Sequence, residues 1–349
     1  MNAWKIYHVM TDRFYPVNNK AEGRCFKGGN IRGIIEKLDY IQSKGMEGIM
    51  LTPFYKTNEY HGYHITDYAE ADPHFGTWDD IRELVREVHN RNMIIVADFV
   101  PNHCHKSNPL YADGKYDDWF LKDKNGKVKG FANLSELPAF DTDNKSVQTF
   151  FIKQGIKLCQ IGFDAIRMDH ATGPTYHFWE VFRNALKVQY PDVLLIGEVW
   201  GKLDFKPRNP FRFYWNKLWH SAQEARQLEY VGVLDGVFDF RYQELVCHAI
   251  KSGKHLFGNA KIEHQIKKHF ARYPKEFQLW LFLDNHDMNR FLFECKGDES
   301  LLQEAIRFTK KQGKTFLMYY GTEKSMMNEK DIHSVPFGDE MVREPMDWD

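Results

Sequence analysis

The chain has 349 residues, of which 43% are hydrophobic and 15% are aromatic, so it is long and apolar enough to bury one large core. Its 47 basic and 48 acidic residues give a formal net charge of −1, which offers no electrostatic footprint for nucleic acid or for an anionic membrane surface. A neutral partner such as a sugar fits this balance, although nothing in the composition requires one.

The cysteines and the N-terminal region indicate a compartment. The five cysteines are odd in number and show no CxxC spacing, which favours free thiols in a reducing environment. The chain begins with a predicted strand almost at Met1, without a signal-peptide pattern, and it contains no apolar run long enough to span a bilayer. We therefore expect a cytoplasmic protein that has no membrane partner.

Short apolar runs alternate with helical patterns along the whole chain. Helical patterns occur, for example, at residues 78–91, 147–159 and 177–190. Eight parallel strands with crossover helices predict an α/β protein with a closed (β/α)8 TIM barrel rather than an open sheet. The predicted strands are 5–9, 48–51, 94–98, 165–169, 193–197, 232–238, 278–283 and 315–319.

Two regions depart from this alternation. Residues 104–143 are polar, glycine-rich and aromatic, and we expect them to form a short inserted domain after the third strand, with residues 1–103 and 144–349 forming the barrel. After residue 319 about thirty residues remain without a sustained helical period, so a full eighth helix is not expected. Its absence would leave apolar surface of the first and eighth strands uncovered, which predicts self-association or a truncated piece of a longer protein.

Two of the predicted strands end in a carboxylate. Asp169 closes the strand at 165–169, and Arg167 shares its face because side chains alternate along a strand. An adjacent guanidinium should hold that carboxyl ionised, which makes Asp169 a candidate nucleophile. Glu198 follows another strand, has no basic residue beside it in sequence and has Trp200 two places on, a setting that could keep it protonated as an acid. The alternative is two ordinary salt-bridged carboxylates.

Two further strands run into polar residues of the same kind. Asp98 and His103 lie in DFVPNH at 98–103, and His286 and Asp287 lie in FLDNHD at 282–287. Together with GFDAIRMDH at 162–170 and GEVW at 197–200, these segments resemble, in order and spacing, the four sequence regions of the α-amylase family of glycoside hydrolases.

The resemblance extends over nearly the whole chain. The segments WKIYHVMTDRF and FKGGN are similar to the family's first strand and the loop after it, and we do not expect the family's usual β-sandwich after the barrel. The other similar segments are HGYHITDY at 61–68, DPHFGT at 72–77, ELPAFD at 136–141 and REPMDW at 343–348.

The resemblance implies roles for individual residues. Asp169 would be the nucleophile, Glu198 the general acid/base and Asp287 a third carboxylate that grips sugar hydroxyls as the transition state forms. His103 and His286 would bind hydroxyls of the same sugar, unless they are structural histidines. Tyr63 would stack under its ring, unless it only packs in the core. Arg167 would fix Asp169, and Asp98 would support the site.

Metal binding is left open. In calcium-binding members the asparagine of the first region, here Asn102, is a ligand, and a structural calcium is therefore compatible with the sequence although no cofactor is required. Its partners cannot be identified, because Thr172 and Gly173 stand where many members have Lys-His. His61, His64 and the run His103-Cys104-His105 could suggest zinc, but no HExxH or paired CxxC supports it.

The sequence favours hydrolysis of α-glucosidic linkages in an α-glucan or malto-oligosaccharide, with retention of configuration. A transglycosylase, or a sucrose- or trehalose-type isomerase, would carry the same three carboxylates and differ only on the acceptor side. A non-catalytic sugar-binding relative is the third alternative. Its mark would be a missing carboxylate, and all three are present.

Overall fold

A computed structural model describes residues 3–16, 25–201 and 203–348 of the chain. Within them, eight strands close into a parallel barrel in the order β1-β10-β9-β8-β7-β6-β5-β2, which confirms the predicted fold. The strands are β1 Lys5–Val9, β2 Gly48–Leu51, β3 Tyr55–Thr57, β4 Ile65–Ala71, β5 Ile94–Phe99, β6 Ala165–Met168, β7 Leu194–Gly197, β8 Gly236–Phe238, β9 Gln278–Phe282 and β10 Phe316–Tyr319.

Helices follow most of the barrel strands and form an outer layer. The three helices predicted from periodicity agree with α4, α6 and α7 to within two residues at each end. The helices are α1 Thr11–Phe14, α2 Ile31–Glu36, α3 Leu38–Ser43, α4 Trp78–Asn90, α5 Pro109–Ala112, α6 Lys145–Ile161, α7 Tyr176–Gln189, α8 Pro210–Trp219, α9 Ala222–Leu228, α10 Phe240–Lys251, α11 Ala260–Phe270, α12 Phe291–Glu294 and α13 Glu299–Lys310.

The core has two parts, because strand side chains alternate between the inside and the outside of the barrel. On β1, Ile6 belongs to a buried cluster that fills the barrel together with Met50, Val96 and Trp280. Tyr7 and Val9 belong to the larger cluster between the strands and the helices. A filled interior leaves the loops at the carboxyl ends of the strands as the place for a site.

Outside the barrel, β3 and β4 pair antiparallel as a separate two-stranded sheet, which was not predicted from the sequence. Residues 104–143, all of them described, contain α5, two 3-10 turns at Asp117–Trp119 and Phe131–Asn133, and isolated bridges. The bridge from His103 to Ala139 joins this inserted segment to the end of β5.

The described residues after β10 form three short 3-10 turns, at Thr322–Lys324, Ile332–Ser334 and Gly338–Val342, so the expectation that an eighth helix is missing is confirmed for them. The expectation that β1 and β10 are uncovered is wrong. Tyr7, Phe316 and Met318 point out of the barrel and are at most 4% exposed. The C-terminal segment contributes to this cover, since Met346 lies against the Tyr7 hydroxyl and Trp348 packs on Phe14.

No helix in the described ranges is long and apolar enough to cross a membrane.

Candidate active site

The polar residues predicted from the strand ends meet at the carboxyl-terminal face of the barrel. Strand register brings them together: Asp98 of β5 pairs with Arg167 of β6, and Met168 pairs with Gly197, the residue before Glu198. Backbone bonds continue the ladder past the strands, because Asp169 N donates to Phe99 O and Glu198 N donates to Met168 O. Neighbouring strands therefore deliver the three carboxylates of Asp98, Asp169 and Glu198 to one spot.

Arg167 lies at the centre of these carboxylates and is 1% exposed. Its Nη1 donates to both oxygens of Asp98 at 2.8 Å and to Asp169 Oδ1 at 2.7 Å. Its Nη2 forms an ion pair with Glu198 Oε1 at 2.6 Å. One guanidinium is thus shared by three buried carboxylates.

This sharing changes the expected ionisation of Asp169. Burial raises the pKa of the Asp169 carboxyl, and the negative charges of Glu198 and Asp98 raise it further against the opposing effect of Arg167. Burial likewise raises the pKa of Asp98. Arg167 contacts Asp169 as expected and favours its charged form, but its positive charge is divided among three carboxylates. The cluster is poised to hold a proton among its members.

The surroundings of Glu198 also differ from the sequence-based expectation. No basic residue is adjacent in sequence, yet Arg167 of the neighbouring strand contacts its carboxyl. Its second oxygen, Oε2, accepts a hydrogen bond from the backbone N–H of His170 at 3.0 Å. His170 adopts a left-handed backbone conformation with φ of 41°, which is uncommon for a residue other than glycine and marks local strain beside the carboxylates.

Asp287 lies on the other side of the cleft, after β9. Although burial opposes ionisation, His286 and Arg343 lower the pKa of Asp287 below its usual range. His286 Nε2 lies 3.1 Å from Asp287 Oδ2, and Arg343 Nη2 donates to Asp287 Oδ1 at 2.9 Å. The ionised form of Asp287 is therefore favoured.

The aromatic residues predicted for the site line the same cleft. Tyr63 donates its hydroxyl to Asp98 Oδ2 at 2.7 Å, and its ring stacks on His286 with centroids 5.2 Å apart. His103 stacks on Phe131 at 4.5 Å, and burial lowers its pKa to about 3, so it is a neutral ring. All of them except Phe131 were identified from sequence.

Arg343 and His8 were also not assigned from sequence. Arg343 lies in the REPMDW segment, so the motif that drew attention to this region contained the signal, but nothing in it indicated contact with Asp287. His8 interrupts the apolar run of β1, and its ring meets His286 edge-on at 5.3 Å. A buried polar residue within a barrel strand was the available clue.

The calcium site remains a prediction. Asn102 is buried, and its Nδ2 lies 3.3 Å from His103 Nδ1. Its Oδ1 is so close to Gly173 that a Cβ there would lie 2.0 Å away, which explains the glycine at that position. Within residues 3–16, 25–201 and 203–348, no group of three or more His, Cys, Asp or Glu side chains is spaced to hold a metal ion.

An open cavity of about 570 Å³, which we call the catalytic cleft, is lined by residues that include Tyr63, His103, Phe131, Asp169, Glu198, His286, Asp287 and Arg343. A second cavity of about 800 Å³, the side cleft, adjoins it and shares Phe131 as a wall. The residues that line the side cleft include Asn102, Gly173, Asp204 and residues 206–208. Both volumes are large enough for a small ligand.

Comparison with known proteins agrees with this geometry. The family model "Alpha amylase, catalytic domain" matches residues 8–158 and 162–349. Alpha-amylase 2 of Dictyoglomus thermophilum is 32% identical over 343 residues, which are 94% of this chain and 56% of that protein. The intracellular maltogenic amylase of Bacillus subtilis is 29% identical over 323 residues, 88% of this chain and 50% of that protein.

Among solved structures, the alpha-amylase from Geobacillus thermoleovorans complexed with acarbose superposes with a TM-score of 0.79 and 28% identity, covering 100% of this chain and 76% of that one. The chain spans about half the length of the two curated relatives named above.

Proposed function

Because this chain belongs to the α-amylase family by its match to the family's catalytic domain, we propose that it is a retaining glycoside hydrolase of α-glucans or malto-oligosaccharides. The observation that carries the proposal is the convergence of Asp169, Glu198 and Asp287 on one cleft at the carboxyl ends of the barrel strands. The names of the relatives, an alpha-amylase and a maltogenic amylase, support the substrate class.

The first step assigns Asp169 as nucleophile and Glu198 as acid. A carboxylate oxygen of Asp169 attacks the anomeric carbon while the proton of Glu198 passes to the glycosidic oxygen, so that a glycosyl ester forms as the glycosidic bond breaks. The step requires one proton in the cluster around Arg167, carried by Glu198 while Asp169 is ionised, and the contact of both carboxyls with one guanidinium supports such an arrangement.

The second step reverses these roles. Glu198, now ionised, takes a proton from a water molecule whose oxygen attacks the anomeric carbon, and the bond to Asp169 breaks. Asp287 keeps its charge throughout, because His286 and Arg343 hold its pKa low. A fixed negative charge hydrogen-bonded to sugar hydroxyls stabilises the oxocarbenium-like transition state more than the ground state.

Product analysis tests the proposal. The protein is incubated with maltotriose, isomaltotriose, sucrose and starch, the products are separated by chromatography, and the anomer released first is identified by proton NMR. We expect shorter malto-oligosaccharides in the α-configuration. An early β-anomer would contradict the covalent mechanism, and products longer than the substrate would indicate transglycosylation. Release of no product from any substrate would contradict the enzymatic assignment.

A further inference from the structure

We propose that the outer face of α8 is a docking surface for a second copy of this chain. This face is formed by Phe211, Tyr214, Trp215, Leu218 and Trp219, which are 80%, 59%, 56%, 75% and 70% exposed. Large apolar side chains with this exposure on one short helix are unusual for a surface that contacts only water.

Helical spacing places all five residues together. Successive residues rotate by about 100°, so positions 211, 214, 215, 218 and 219 fall within one face of the helix. Phe213 lies on the opposite side, is buried, and packs on Phe205 with ring centroids 5.1 Å apart. The helix is thus anchored by its inner residue, and the apolar stripe points away from the barrel.

The barrel does not need this stripe for its own packing. The connection from β7 to β8 holds two helices, and α9, not α8, is buried along its whole length. The other exposed large hydrophobic residues of the described chain, such as Val188 and Phe257, lie on separate elements. The α8 face is therefore a concentrated feature rather than part of a generally apolar surface.

The size of the face suits a protein partner. With about 150–250 Å² for each aromatic side chain, the exposed fractions leave roughly 600 Å² of apolar surface. This is at the upper end of the largest patch on a typical monomer and close to the roughly 800 Å² that each partner contributes to a standard interface. An isologous contact needs no second type of surface, because each copy brings the same face to the other.

The composition of the face favours this occupant over the other two that could cover it. Leu218 lies near the middle of the stripe, and an aliphatic side chain offers a sugar ring no flat surface to stack on. A membrane-surface helix is rich in Lys and Arg on its polar face, whereas α8 carries two basic residues, Arg212 and Lys217. A second copy matches both the apolar character and the size.

Sedimentation equilibrium of the full chain over a roughly hundredfold range of concentration tests the proposal. We expect a reversible dimer, whose dissociation constant rises at least about a hundredfold in Trp215→Glu/Leu218→Glu. Val188→Glu, which adds a charge at an exposed apolar position of α7, is the matched control and should dimerise as the unmodified chain does. Thermal melting and product release by each monomeric variant establish that it is folded.

Three results would overturn the proposal. The first is a monomer at every concentration, and the second is a dimer that survives in Trp215→Glu/Leu218→Glu. The third is a monomeric unmodified chain that is retained in an amylopectin gel, or floats with phosphatidylcholine–phosphatidylglycerol vesicles, when Trp215→Glu/Leu218→Glu does not. The face would then bind glucan or lipid.

Discussion

Arg343 donates from Nη2 to Asp287 Oδ1 at 2.9 Å, across 56 positions of sequence. The same guanidinium donates from Nε to the carbonyl oxygen of His286, so it fixes both the charge and the backbone of this side of the cleft. Arg343 is buried, whereas Asp287 is about one-third exposed and faces the cleft. The C-terminal segment therefore has a direct connection to the proposed chemistry.

Replacing Arg343 by Gln should raise the pKa of Asp287, because its nearest permanent positive charge is lost. We expect kcat/KM at neutral pH to fall by roughly tenfold to a hundredfold and the acidic limb of the pH profile to move to higher pH. Arg343→Lys retains the charge and should keep the limb in place. Equal movement of the limb in both variants would show that charge is not the cause.

Asp169→Ala and Glu198→Gln should each lower turnover by several orders of magnitude and leave the melting temperature within a few degrees. Asp79→Ala, which removes a 90% exposed carboxylate of α4, is the control and should retain full activity. With a substrate that has a good leaving group, Glu198→Gln should also lose the basic limb of the pH profile. Turnover within about tenfold of the unmodified chain would refute the role assigned to that residue.

Tyr63→Phe removes the hydroxyl that donates to Asp98 Oδ2 but keeps the ring that stacks on His286. We expect kcat to fall by about tenfold with little change in KM, since a neutral hydrogen bond to a buried carboxylate contributes about 1–3 kcal/mol. Tyr63→Ala should raise KM as well, because the ring is lost. If Tyr63→Phe raises KM alone, the hydroxyl binds substrate rather than supporting the carboxylate cluster.

His269 should make stability depend on alkaline pH. It is 1% exposed, with Nδ1 2.5 Å from Glu224 Oε1 and Nε2 2.8 Å from Asp239 Oδ2. Although burial favours the neutral ring, these two carboxylates raise the pKa of His269 from 6.5 to about 9. Because the pKa of His269 is higher in the folded state, its protonation stabilises that state fully at pH values below the unfolded pKa of 6.5. This stabilisation is lost as pH rises from about 6.5 through about 9.

The loss should be on the order of 3 kcal/mol in the free energy of unfolding, measured by urea denaturation at pH values across that window. His269→Gln should be less stable at pH 6.5 and lack the alkaline dependence. His264→Gln, at an exposed position of the same helix, is the control. An unchanged pH profile in His269→Gln would exclude His269 as the titrating group.

The sequence was most informative where an apolar run ends in a charged residue. Asp169 and Glu198 were located because burying an unpaired carboxylate costs free energy, so that a carboxylate at the end of a buried strand indicates a partner or a functional role. It was less informative about strand starts. The run from Gly232 was assigned to a strand, but Gly232 has a φ of 82° and the strand begins at Gly236, after a turn that carries apolar side chains.

What the sequence could not give was the sharing of charges between strands. Arg167 was expected to serve Asp169 alone, because the two are neighbours on one strand. Its contacts with Asp98 and Glu198 depend on the register of three strands, which is set by long-range packing rather than by local pattern. The pairing of β3 with β4 was missed because the three residues of β3 leave almost no periodicity to detect.

Closure of the barrel has a consequence for how the chain is made. Lys5 pairs with Phe316, and Trp4 N donates to Thr315 Oγ1 across 311 positions of sequence. During synthesis β1 emerges before β2 and can pair with it, yet its other edge must wait until β10, about 311 residues later, has left the ribosome. An unpaired edge that persists for this long invites pairing with other nascent chains. Folding of this protein should therefore be slow and sensitive to concentration and to chaperones, with the β1–β10 seam as its last major step.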